Sequence, residues 1–191
     1  MLLGSDGGTA PPTHLLTGAR AFREGRFAQA LVEFQVARAQ GATGEVDWYA
    51  AATLARLGRG EDAVEAFELA KQTAPEAGDA LLGYYEAVAC VRAQLLVRAD
   101  GLLAAVEGKA GDKVAKLARE LKAEVARALS GEPPTTAIDE LVKRAERATQ
   151  ANRPRLARAL LTEALALAAR RADRHRGEEL GQRLRPVEVS P

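Results

Sequence analysis

Two sixteen-residue segments of this chain, thirty-three positions apart, carry the same pattern of key residues. FREGRFAQALVEFQVA begins at Phe22, and ARLGRGEDAVEAFELA begins at Ala55. Between the two, Arg23 recurs as Arg56, Gly25 as Gly58, Arg26 as Arg59, Ala30 as Ala63, Phe34 as Phe67 and Ala37 as Ala70. A period of roughly 34 in helix-forming sequence signals a helix-turn-helix unit stacked on copies of itself. Gly25 and Gly58 sit where a first helix must end in a left-handed residue, which a side chain without Cβ adopts freely. Ala30 and Ala63 are small where the second helix crosses the first. Phe34 and Phe67 lie one turn on along the same face, with Ala37 and Ala70 a turn beyond, so they are placed to fill the space between helices. Pro75 stops the second pair.

Composition agrees with helices. The chain is 47% hydrophobic and 28% charged, the balance of a globular protein rather than a disordered one. Aromatics are only 4%, and the apolar residues are mostly Ala, Leu and Val, so few runs remain from which to build strands. The expected fold class is all-α, with stacked antiparallel helix pairs.

This spacing resembles the tetratricopeptide repeat. That family has two antiparallel helices per unit, with Gly before the turn, then Ala, an aromatic and Ala on the second helix, and a closing Pro. Residues 13–42 and 46–75 match as two tandem units. Ala42 stands where the first unit would carry Pro. The usual first-helix Trp falls at His14 and Asp47, with Trp48 one place along. Gly18 keeps the first-helix Gly, and Ala51 replaces it in the second unit. The resemblance implies a short right-handed superhelix whose first helices line a concave groove.

Beyond Pro75 the pattern thins. Residues 79–108 read as a degenerate third pair, in which Ala99, Leu103 and Val106 keep the small, large, small spacing but the turn Gly is missing. Segment 109–131 holds a charged amphipathic helix from about Asp112 to Leu129, its apolar face being Val114, Leu117, Leu121, Val125 and Ala128. Gly131-Glu132-Pro133-Pro134 breaks it. Residues 135–185 then form a divergent pair and a short capping helix near Glu178 to Leu184. Thr135 or Thr136 caps the first of these helices with support from Glu140, Pro154 opens the second, and Ala157, Leu161 and Ala164 repeat the spacing. Residues 1–12, rich in Gly, Ser, Thr and Pro, and 186–191 are expected to be loose.

Nothing in the chain reads as catalytic. His14 and His175 lie far apart with no Cys or His at metal spacing, so no metal site is expected. Gly58-Arg59-Gly60 lacks the Lys-Ser/Thr of a phosphate loop, and the repeat register explains it as a turn. Glu61-Asp62 and Glu178-Glu179 are adjacent pairs that suit a first helical turn rather than acid-base work. No enzyme activity and no cofactor are expected. The lone Cys90, in an apolar stretch, reads as a buried small hydrophobe. The N-terminus lacks a basic and apolar leader, and no apolar run is long enough to span a bilayer, so a cytoplasmic protein without membrane insertion is expected.

What the groove would present follows from the resemblance. Leu15, Ala19, Phe22 and Arg23 come from the first unit. Trp48, Ala52, Ala55 and Arg56 come from the second, and Tyr84, Val88, Val91 and Arg92 from the third. Leu15, Phe22, Trp48 and Tyr84 make an apolar and aromatic strip. Arg23, Arg56 and Arg92 make a row of guanidinium forks suited to carboxylates or phosphates. The expected partner is a protein or peptide with apolar anchors and acidic residues, held by a scaffold or adaptor inside a multiprotein assembly. Some co-chaperone members grip a C-terminal carboxylate with Lys and Asn on these helices. Leu15, Ala19, Trp48 and Ala52 stand there instead, closer to repeats that hold secretion substrates or assembly partners.

Two other readings stand beside the adaptor. One is a secretion-type chaperone. The other is regulatory binding of nucleic acid or an acidic partner through the basic C-terminal helices. From Lys143 to Arg185 there are twelve Lys and Arg against five acids, in a chain of net charge +1. Arg153, Arg155, Arg158, Arg170, Arg171, Arg174 and Arg176 supply that charge, but no aromatics for base stacking are interleaved among them, so nucleic acid is not expected. An array end, or the apolar face of the helix at 112–129, offers a surface for a homodimer.

Overall fold

The computed structural model describes residues 13–109 and 111–184. The expectations for residues 1–12 and 186–191 lie outside them. The described residues fold as ten α-helices: α1 (Thr13–Arg23), α2 (Phe27–Ala39), α3 (Glu45–Arg56), α4 (Gly60–Thr73), α5 (Ala80–Arg92), α6 (Leu96–Glu107), α7 (Asp112–Ala128), α8 (Thr135–Gln150), α9 (Pro154–Arg170) and α10 (Arg174–Leu184). A single 3₁₀ turn, Pro75–Ala77, follows α4.

Helices pack in consecutive pairs, α1 on α2, α3 on α4 and α5 on α6. Each second helix also touches the next first helix, and α1, α3, α5 and α7 contact one another in succession. The chain therefore has a first-helix face (α1, α3, α5, α7) and a second-helix face (α2, α4, α6). The residues that set the repeat are all buried: Ala30, Phe34 and Ala37, then Ala63, Phe67 and Ala70, then Ala99, Leu103 and Val106, then Ala157, Leu161 and Ala164. Gly18 is fixed by close approach, since a Cβ there would lie 2.6 Å from the Phe34 ring.

The turns repeat more faithfully than the sequence. Gly25, Gly58, Gln94, Asn152 and Ala172 all have positive φ and all sit two residues before a helix. Each turn closes with the same long backbone bond: Arg26 N to Ala21 O (2.8 Å), Arg59 N to Leu54 O (3.0 Å), Leu95 N to Cys90 O (2.8 Å), Arg153 N to Ala148 O (2.8 Å) and Asp173 N to Ala168 O (3.1 Å). This is the Schellman closure, which satisfies carbonyls at a helix end. In the third pair, where no glycine was found, Gln94 takes the left-handed place at φ 59°.

Three local expectations change. The N-cap of α8 is Pro134, with no side-chain cap from Thr135 or Thr136. On α7, Val125 is buried and Val114 and Leu121 pack against the core as expected, but Ala118 is also buried there while Leu117 and Ala128 are exposed. The last helix begins at Arg174 rather than near Glu178.

After α7 the chain does not extend the stack. It returns, and α9 lies across α4 and α6 with α8 and α10 packed against it. Nine α9 residues are buried, among them Glu163, because this helix has neighbours on several sides. Cys90 is fully buried, and burial pushes its thiol up to about 12. No helix among the described residues is long and apolar enough to cross a membrane.

Candidate protein-binding face

Two faces carry chemistry, and they are built differently. The second-helix face is closed by the C-terminal helices through polar contacts. Arg144 of α8 donates to Glu61 at 2.8 Å and to the Ala93 carbonyl at 2.7 Å. Arg153 donates to Asp62 at 2.9 Å, and Arg155 lies 3.6 Å from Glu65. Two carboxylates cap helices they do not belong to. Glu65 of α4 accepts from the amide of Leu156, in the first turn of α9, at 2.6 Å. Glu163 of α9 accepts from the amides of Val97 and Arg98, in the first turn of α6, at 2.7 and 3.0 Å. First-turn amides have no intrahelical partner, so each contact satisfies groups that packing would otherwise strand. Glu163 is 2% exposed. Burial raises its carboxyl above the ordinary range, against the pull of those amides and of Arg98.

A second buried charge knits the array itself. Glu86 of α5 accepts from Lys71 of α4 and Arg98 of α6, each at 2.9 Å, and both cations also meet Glu68. Burial pushes the Glu68 carboxyl up, but Arg98 and Lys71 together outweigh it and hold it below its usual value.

The basic C-terminal third is therefore largely engaged inside the molecule. Besides Arg144, Arg153 and Arg155, Arg171 lies 3.3 Å from Glu132 and Arg176 is 2.7 Å from Asp139. Arg183 is 3.0 Å from Glu146. Local sequence shows the charge excess but not these partners, since the Arg144–Glu61 contact spans 83 residues.

The first-helix face is different. Of the residues expected to line it, Phe22, Trp48 and Ala52 are buried and form the layer beneath the surface. Trp48 is 5% exposed, donates from Nε1 to the Ala74 carbonyl at 2.8 Å and meets Phe67 edge-on. It locks the end of α4 to α3 and presents no face to a partner. Phe22 packs against Phe27, Tyr49 and Tyr85. Leu15 is half-buried against the core. Arg23, Arg56 and Arg92 are exposed, each the last residue of its helix (α1, α3 and α5).

A cavity of about 460 Å³ opens on this face between α3, α5 and α7. Four of the expected residues line it together: Arg56, Tyr84, Val88 and Arg92. Val91, Tyr85 and Leu121 complete it. Arg56 lies over the Phe27 ring at 4.7 Å and near Tyr85 at 5.9 Å. Arg23, Arg56 and Arg92 have no ion-pair partner among the described residues. Burial raises the Tyr84 hydroxyl above its usual value, followed by the neighbouring Tyr85, so it stays a neutral donor. Tyr85 and Leu121 were the missed residues. Tyr85 adjoins Tyr84 in sequence, and Leu121 was visible only as part of the α7 apolar stripe.

The arrangement can hold an apolar or aromatic group among Tyr84, Val88, Val91 and Leu121 while two guanidinium groups meet acid beside it. Compared with family models, with curated proteins and with solved structures, the chain gives no match.

Proposed function

We propose that this chain is a tetratricopeptide-like array that holds a segment of another protein on its first-helix face. The stacked pairs form a short superhelix with α1, α3, α5 and α7 inside it. The observation that carries the reading is the contrast at the cavity: among the described residues Arg56 and Arg92 border an apolar pocket without carboxylate partners, where most arginines have them. A segment with one bulky apolar anchor and flanking Asp or Glu fits that combination, and the role is a non-catalytic adaptor within an assembly. A secretion-type chaperone would use the same face in the same way. Regulatory binding through the C-terminal arginines draws less support, because Arg144, Arg153, Arg171 and Arg176 already meet acids of this chain.

Selection of displayed random peptides on the wild-type protein tests this reading. Peptides with an apolar anchor and nearby acids should be enriched. They should lose at least about tenfold in affinity for the Arg56→Glu, Arg92→Glu variant, with its circular dichroism unchanged. Equal binding to that variant, or enrichment of basic peptides, would sink the proposal.

A further inference from the structure

A second cleft, of about 440 Å³, opens where the array meets the C-terminal helices. Leu96 of α6, Leu129 after α7, Leu141 of α8 and Leu167 of α9 give it an apolar floor. Its size lies within the range of small-ligand sites, roughly 300–1,000 Å³.

Five charged side chains line it, and four are answered. Glu132 faces Arg171, Glu140 receives Arg147 at 2.7 Å, and Arg144 is held by Glu61. Glu163 is taken up by the first-turn amides of α6. Arg170 differs. Its Nη2 donates to the Leu129 carbonyl at 2.5 Å, and no carboxylate pairs with it among the described residues. The side chain is exposed, so its remaining donors are open to a ligand. The cleft thus joins a leucine floor to one guanidinium that no carboxylate of the described residues pairs with.

We propose that this cleft binds a small amphipathic anion, an apolar chain lying on the leucines and ending in a carboxylate that pairs with Arg170. Such a ligand has the chemistry of a medium-chain fatty acid. It would touch the array through Leu96 and Leu129 and the C-terminal unit through Leu141 and Leu167. Binding would therefore strengthen the docking of one on the other by mass action.

The probe is decanoate below its micelle concentration, titrated calorimetrically into the full chain, with amide shifts read by NMR and decan-1-ol as the uncharged control. Saturable one-to-one binding is expected, with shifts centred on Leu96, Leu129 and Leu141. Arg170→Ala should weaken it about tenfold, the cost of one charged hydrogen-bonding partner. Ala137→Trp, which fills the cleft from a half-buried position, should abolish it. Decan-1-ol should bind more weakly. Absence of saturable binding overturns the proposal. So do equal affinity for the alcohol, affinity unchanged in both variants, and shifts centred on Tyr84, Val88 and Arg92.

Discussion

Arg144 and Arg56 are the same side chain in opposite circumstances. Arg144 sits in a nest of acceptors, with Glu61 and the Ala93 carbonyl within 2.9 Å. Arg56 stands over aromatic rings at the rim of an open cavity and meets no acid among the described residues. On the second-helix face, closed by α9, Arg144, Arg153 and Arg155 all meet acids of α4. On the first-helix face, Arg56 and Arg92 have no such partner among the described residues. Charge composition alone points the other way, because the excess of Lys and Arg lies in the C-terminal third. What distinguishes a binding charge from a structural one is its partner, and the partner is a matter of tertiary packing.

That contrast can be broken by mutation. The largest expected effect is at Glu163. Glu163→Ala leaves two first-turn amides of α6 without their acceptor and should cost about 3 kcal/mol in urea unfolding. Amide exchange at Val97 and Arg98 should accelerate with it. An unchanged midpoint would mean that α9 is not held through this cap.

Paired and unpaired arginines can then be compared directly. Arg144→Ala should lower stability by about 2 kcal/mol, since it leaves Glu61 and the Ala93 carbonyl without their donor. Arg56→Ala and Arg92→Ala should each stay within about 0.5 kcal/mol of wild type. Equal costs at Arg144 and Arg56 would erase the distinction between the two faces.

The smallest effect is in pH. The Glu68 carboxyl is held below its usual value by Arg98 and Lys71 against burial. Its contribution to stability is therefore present above the unfolded-state pKa and is lost as pH falls through the lowered folded-state value. Wild type should lose stability on acidification more steeply than Glu68→Gln. Parallel curves would mean that Glu68 draws nothing from its cations.

Sequence carried the repeat where a residue type is obligatory. Gly25 and Gly58 mark the first two turns, and the Ala-Phe-Ala triplets mark their second helices. The same turns at Gln94, Asn152 and Ala172 were invisible, because each pays a modest cost for left-handed backbone that the Schellman bonds and surrounding packing offset. At the candidate site, Tyr84, Val88, Arg92 and Arg56 were placed by the repeat register. Trp48 was misplaced: periodicity gives a helix face but does not say whether the next element covers it. The return of α9 onto α4 and α6 leaves no periodic trace, since its contacts join residues as far apart as Leu156 and Glu65.

That return changes how the molecule holds together. A stack of repeats is ordinarily a one-dimensional chain, each unit coupled only to its neighbours and able to fray from either end. Here Glu65 secures the start of α9, and Glu163, further along α9, secures the start of α6. The last unit thereby couples the second and third units to each other a second time. The chain of couplings becomes a closed circuit through α4, α6 and α9.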